Sequence, residues 1–248
     1  MMRSMVLILF FVVAVTAAFA GEDEAGLNLA GAGVITSASP YAGVDARTAA
    51  IPFLSLAYKD IYIQGVEAGC RFLKKGGWTL AVVASPRFMG YESDDSTALN
   101  GMRDRRMSMD AGLKAEHALA GNLAMSAKVV ADVLSRSDGM EYELALRYPV
   151  KGRIFRLVPS AGIRYQTEPM VDYYYGVRDD EARAGRAAYE PRGALNPFAN
   201  LVFSGGISRR LIVMAMLGIE SLGPDIRKSP IVDESHTWTA AAGLTYKF

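Results

Sequence analysis

From Trp238 to Phe248 the chain alternates strictly. Trp238, Ala240, Ala242, Leu244, Tyr246 and Phe248 fall on one side, and Thr239, Ala241, Gly243, Thr245 and Lys247 on the other. A period of two is that of a β-strand with one face for lipid and one for water. An aromatic stands at each end of the lipid-side row. The ten steps between them span roughly 33 Å of strand, or about 25 Å of membrane normal at a tilt of about 40°. That matches the apolar band of an outer-membrane barrel between its two aromatic girdles.

The same period recurs upstream. Glu141–Tyr148 turns Tyr142, Leu144, Leu146 and Tyr148 outward and Glu141, Glu143 and Arg147 inward. Leu123–Leu134 sets Met125, Ala127, Val129, Ala131 and Val133 against Ser126, Lys128 and Asp132. Trp78–Phe88 places Trp78, Leu80, Val82, Ala84 and Phe88 outward, with Arg87 inward. Met107–His117 keeps Asp110, Lys114 and Glu116 inside, and Phe155–Gln166 does the same with Arg156, Arg164 and Gln166. A helix would scatter these charges around its axis, so the period decides for strands. A soluble β-sandwich would have no use for girdle aromatics.

Less regular strands are expected at Leu27–Ile35, Ile51–Tyr58, Ile61–Phe72, Phe198–Gly206 and Arg210–Glu220. The phase of Ile61–Phe72 slips near Gly65, which reads as a bulge. Arg210–Glu220 is apolar on both faces, so its orientation is not legible. These segments make eleven strands, whereas single-chain bacterial barrels have even numbers. The expected fold is an all-β, antiparallel transmembrane barrel of twelve strands, the twelfth hidden in Ser37–Thr48. Ten strands is the alternative, with Leu27–Ile35 outside the wall. Short connections at Leu119–Asn122, Pro149–Arg153 and Ser204–Arg209 alternate with long ones at Tyr91–Arg106, Thr167–Gly193 and Ser221–Thr237. Short periplasmic turns and long outer loops are the outer-membrane pattern.

The first residues change the compartment from plausible to expected. Residues 1–20 carry Arg3, an apolar run from Met5 to Val15, and Ala18-Phe19-Ala20 before Gly21, a secretory signal with an A-x-A cleavage site. A membrane anchor helix is the alternative; the run is short for one and no charged stop follows. Residues 21–248 then form a single barrel domain in the cell outer membrane, in contact with its lipid and lipopolysaccharide, and a monomer is expected. The full chain has 27 Lys+Arg and 26 Asp+Glu, and loss of Arg3 leaves a net charge near zero. That excludes the basic excess a nucleic-acid partner requires. The lone Cys70 has no internal disulfide partner.

The inward positions hold Arg87, Lys114, Lys128, Arg147, Arg156 and Arg164 against Asp110, Glu116, Asp132, Glu141 and Glu143. Interleaved signs point to a salt-bridged interior or to a narrow selective pore for small solutes, and both readings stand. Catalytic machinery is not expected. Ser235, His236 and Asp233 are triad residue types, but adjacency in sequence is not triad geometry. Asp94/Asp95 and Asp179/Asp180 read as solvated loop acids before they read as Ca²⁺ ligands. Gly31-Ala32-Gly33 has no following lysine and is no phosphate loop. No metal or cofactor is expected. The loop carrying Tyr173, Tyr174, Tyr175, Arg178, Tyr189 and Arg192 is a candidate partner contact, since Tyr and Arg favour interfaces. Its alternative role is a lid packed over the barrel mouth.

Several segments resemble the MltA-interacting protein (MipA/OmpV) family. They are GAGVITSASPYAGVD (Gly31–Asp45), IPFLSLAYKD (Ile51–Asp60), LNGMRD (Leu99–Asp104), the tyrosine-rich Tyr173–Leu195, SPIV (Ser229–Val232) and GLTYKF (Gly243–Phe248). The most specific are Tyr173–Leu195 and SPIV together. PRFMGYESDD (Pro86–Asp95) departs from the Gly-Arg pair the family would place there. The resemblance implies an outer-membrane barrel. In one branch it implies a scaffold linking a lytic transglycosylase to a murein synthase, and in another a surface adhesin or stress protein. No functional residues carry over.

Overall fold

The computed structural model describes residues 28–248; the signal segment and the first residues after it lie outside these. The wall opens with β1 (Leu29–Ser37), β2 (Arg47–Tyr58), β3 (Ile61–Gln64), β4 (Glu67–Lys75) and β5 (Trp78–Arg87). It continues with β6 (Ser108–Ala118), β7 (Ala124–Asp132), β8 (Met140–Arg147), the two-residue β9 (Val150–Lys151) and β10 (Phe155–Gln166). Helix α1 (Glu168–Tyr175) follows, then β11 (Ala194–Gly206), β12 (Leu211–Ser221), the short α2 (Pro224–Arg227) and β13 (His236–Lys247).

Every pairing between strands is antiparallel. β1 pairs with both β2 and β13, and β11 with both β10 and β12, so the sheet closes on itself. β9 runs on from β8 along the same edge of β10. Counted as one wall position, they give a closed twelve-stranded barrel. A closed wall is what hydrocarbon requires of backbone amides, and this one is continuous except beside the long-loop half of β2, where the β3 pairing stops at Ser55.

The even count is reached by a different route from the one the sequence suggested. Ser37–Thr48 holds no additional strand; it is a connection leading into β2. The extra strand comes from Gly65. This residue sits at φ 60° and its N–H donates to the Leu54 carbonyl, 2.7 Å away. Gly65 and Val66 form a two-residue turn that folds Ile61–Phe72 into a β3–β4 hairpin, with Ile63 opposite Ala68. A tight turn shifts the outward phase by one, which is the slip that reads as a bulge. Leu29–Ser37 is in the wall, which excludes the ten-stranded alternative.

The outward rows expose what the alternation predicts. Tyr142, Leu144, Leu146 and Tyr148 are each over 40 % accessible, as are Trp238, Leu244, Tyr246 and Phe248. Phe88 is the exception. It lies just past β5 and packs inward against a cluster of Ile35, Ile51, Phe53, Val202 and Met214. In β12 the inward residues are Met214 and Met216, while Leu217 and Ile219 face out. The strand is apolar on both faces because that side of the interior is itself apolar.

Candidate functional site: a two-sided lumen under a lid

One half of the interior is charged because inward positions on β4 to β8 and β10 bring their ionisable side chains together. Arg87 is gripped by Asp110 on β6 and Glu141 on β8, the latter at 2.8 Å. Arg164 on β10 meets Glu141 at 3.2 Å, Glu143 at 2.8 Å and Glu220. Deeper, Lys114 reaches Glu67 at 3.0 Å and Glu116 at 3.5 Å, and Arg147 reaches Glu116 at 3.1 Å. Lys128 stands cross-strand between Lys114 and Glu143. Removing one partner of such a buried pair costs about 3–5 kcal/mol, because the other is left charged in a low dielectric.

Two acids of this network, Glu67 and Glu220, are absent from the inward rows read off the sequence. Glu67 hides behind the phase slip at Gly65, and Glu220 ends the strand whose orientation alternation cannot fix. Asp132 serves the backbone instead. Its carboxylate accepts the N–H groups of Leu134, Arg136 and Ser137, so it caps the β7–β8 loop. Arg156 is buried near the short-turn end.

The opposite half of the interior is apolar, built from Ile35, Ile51, Phe53, Val158, Val202, Met214 and Met216. Between the halves lies a cavity of about 280 Å³, bordered by Arg87, Lys128, Glu141 and Arg164 on one side and by Val158, Phe198, Val202 and Met216 on the other. A second, of about 700 Å³, opens below it, lined by Arg71, Lys74, Lys75, Arg147, Lys151 and Arg156. The layer of Lys114, Glu116 and Arg147 separates the two.

The long-loop end is capped. Tyr41, Tyr91, Leu99, Met102, Met170 and Tyr174 bury one another across it, with Val177, Ile226 and Ile231. Pro169 starts α1 where its missing N–H costs nothing, and the helix drops Tyr174 and Tyr175 inward. Tyr41 meets Tyr91 edge-to-face at 4.7 Å and Tyr175 at 5.7 Å. Ser229 Oγ donates to the Tyr175 carbonyl at 2.6 Å, and Ala42 N–H to the Ile231 carbonyl at 2.9 Å. Thus the tyrosine run, SPIV and the Ser39-Pro40-Tyr41 segment meet in one lid. Tyr173 Oη accepts the Arg106 N–H, and Tyr189 Oη donates to the Asp225 carbonyl. Arg178 and Arg192 remain exposed.

Glu181 ties the lid's largest loops together. Its carboxylate takes Arg105 Nη1 at 3.1 Å and Nη2 at 2.8 Å, with the N–H groups of Arg103 and Arg178. Burial alone would raise this carboxyl; the Arg105 hydrogen bonds and the two backbone donors outweigh it and hold it below the usual range. Of the other loop acids, Asp95 pairs with Arg47 and Asp180 with Arg103. Ser235 Oγ lies 2.7 Å from His236 Nδ1 on the exposed surface.

The family profile described as MltA-interacting protein MipA matches residues 30–248. The putative outer membrane protein YiaT of Escherichia coli K12 is 29% identical over 222 residues, 88% of this chain and 89% of that one. The MltA-interacting protein of the same strain is 26% identical over 250 residues, 100% of both. Among solved structures, the NanC porin aligns with 90% of this chain and 100% of its own at 9% identity and a TM-score of 0.45. A closed barrel that matches this profile over nearly all its described length is an outer-membrane protein, and the chain belongs to the MltA-interacting protein family.

Proposed function

We propose that this barrel is a non-catalytic scaffold of the cell envelope whose short-turn end docks murein enzymes. The observation that carries the reading is the charge of that end. Among the described residues, its turns expose Lys59, Lys75, Lys151, Arg153, Arg209 and Arg210, with Asp60 as the acid beside them. They surround the basic lower cavity. The interior charges engage one another, and the far mouth is capped. A rigid basic rim facing the periplasm suits an acidic protein surface, drawn in by electrostatic steering. The relative's name, MltA-interacting protein, supports a lytic transglycosylase as partner, and the family resemblance adds a murein synthase.

The test is capture of a purified lytic transglycosylase by the detergent-solubilised barrel. Wild-type binding should weaken steeply with salt. Reversal of Lys151, Arg153, Arg209 and Arg210 to Glu should abolish it while boiling still shifts gel migration. Capture that ignores both salt and reversal would sink the reading. One observation favours a second function: the two cavities meet at a thin layer of ion pairs, as in a narrow selective pore. Reproducible single-channel conductance with no partner capture would favour that pore.

A further inference from the structure

The β3–β4 hairpin is too short to fill its place in the wall. β3 pairs with β2 only from Ser55 to Tyr58, and above Ala84 β5 has no partner on that side. At the Gly65 turn, β2 and β5 are three strand spacings apart, about 14 Å. From there β2 climbs to Arg47 with one edge unpaired, about 24 Å of strand. β4 descends from the same turn to Lys75, so the gap occupies the long-loop half of the wall. Its top lies near the outer girdle: Ser37 pairs with both Arg47 and Thr239, beside Trp238. Loops close it above, through the Arg47–Asp95 ion pair and the bond from Ser96 Oγ to the Ala42 carbonyl, 2.7 Å long. The result is a framed window.

Proline lies on each side of it. Leu54 gives its carbonyl to Gly65, so Pro52, two residues earlier, turns its nitrogen to the same gap. The Met109 carbonyl accepts from Val133 on the far side of β6, so Pro86, opposite Met109, also points away from β6 and into the gap. Each lacks a donor, which opposes zipping β2 to β5 and opposes a foreign strand entering. Thr48 and Ala50 keep their amides aimed into the gap at membrane depth, where hydrocarbon cannot satisfy them. The inner frame is apolar: Val66 at the bottom, Phe88 on one side, Ile51 and Phe53 on the other, all packed on one cluster. Behind it lies the 280 Å³ cavity, whose border includes Arg47, Ser85 and Pro86 from the frame itself.

The geometry points to a lateral entry site for a single-chain amphiphile from the outer leaflet. Its acyl chain passes Phe53 at the frame and lies along Val158, Val202 and Met216 in the cavity, and its polar head meets the Arg87–Glu141–Arg164 ion pairs. The lid closes the vertical route, and the bilayer supplies the ligand beside the window. This site is independent of the periplasmic docking face.

The test uses the full barrel in phosphatidylcholine nanodiscs with two probes carrying a chain-end diazirine, palmitate and lysophosphatidylcholine. After photolysis, peptide mapping should find label on interior residues such as Phe53 and Val202, from one probe or both, and the productive probe identifies the source. Ala49→Trp, which fills the inner face of the window, should cut interior labelling to background. Phe88→Ala should raise it several-fold. Label on outward residues such as Leu144 and Leu217 should not change and reports an intact wall. Label confined to outward residues in the wild type, or interior label unmoved by Ala49→Trp, overturns the proposal.

Discussion

Two single residues show how the interior sets its own tolerances. Gly33 and Gly243 lie opposite each other on β1 and β13, and the Phe53 ring rests against both. A Cβ on Gly33 would come within 2.4 Å of that ring and 2.2 Å of the Ala242 carbonyl. Gly33→Val should therefore cost about 1–3 kcal/mol, the usual range for overpacking. A lowered midpoint in urea titration of the gel shift would show it, and an unchanged midpoint would mean that both the ring and the β13 backbone give way freely. Arg164 makes a sharper case, because one guanidinium faces three carboxylates. Arg164→Met should destabilise by about 3–5 kcal/mol. Arg164→Lys should recover only part of this, since an ammonium cannot fork across several acids. Full recovery by Lys would show that net charge, and not geometry, matters at this position.

Individual elements differ in how far they could be read ahead. β8 and β13 were legible residue by residue, since lipid on one side and charge or small residues on the other enforce alternation. β12 was not, because Met214 and Met216 face an apolar interior and leave no contrast between its faces. The β3–β4 hairpin was hidden because a two-residue turn and a bulge leave the same one-residue slip at Gly65. The lid was legible in composition, but which residue locks it was not. Glu181 meets Arg105 across a separation in sequence that no local pattern encodes. Its lowered pKa makes the lid sensitive to acid. The stabilisation is fully present above the open-state value of about 4.3 and is lost as pH falls through the folded value. Hydrogen exchange in residues 167–193, corrected for its slower intrinsic rate in acid, should therefore lose protection once the pH drops below about 4. Glu181→Gln should accelerate it already at neutral pH, by about 1.5–3 kcal/mol of lost protection, and should flatten the acid response. An acid response unchanged in the variant would assign the sensitivity to another group.

At the scale of the whole barrel, the lid and the ion-pair layer are two barriers in series, and they can be removed separately. The layer can be thinned by removing an ion pair together: Glu116 and Arg147 pair at 3.1 Å, and Lys114 retains Glu67 at 3.0 Å when both are truncated. The wild-type protein should carry little current in a planar bilayer, since both barriers are shut. Glu116→Ala with Arg147→Ala opens the layer alone, and Glu181→Gln loosens the lid alone. Each should leave conductance low, while the three substitutions together should raise it several-fold. The charged residues lining the lower cavity are six cations and one acid, Glu116, so the open state should prefer anions, which a salt gradient reads as the sign of the reversal potential. If Glu181→Gln alone reaches the triple variant's conductance, the lid is the sole barrier and the charged layer is permeable as it stands. If the triple variant still insulates, the apolar wall and the charged wall pack too closely for a pore. The interior would then serve only to stiffen the barrel that presents the basic rim.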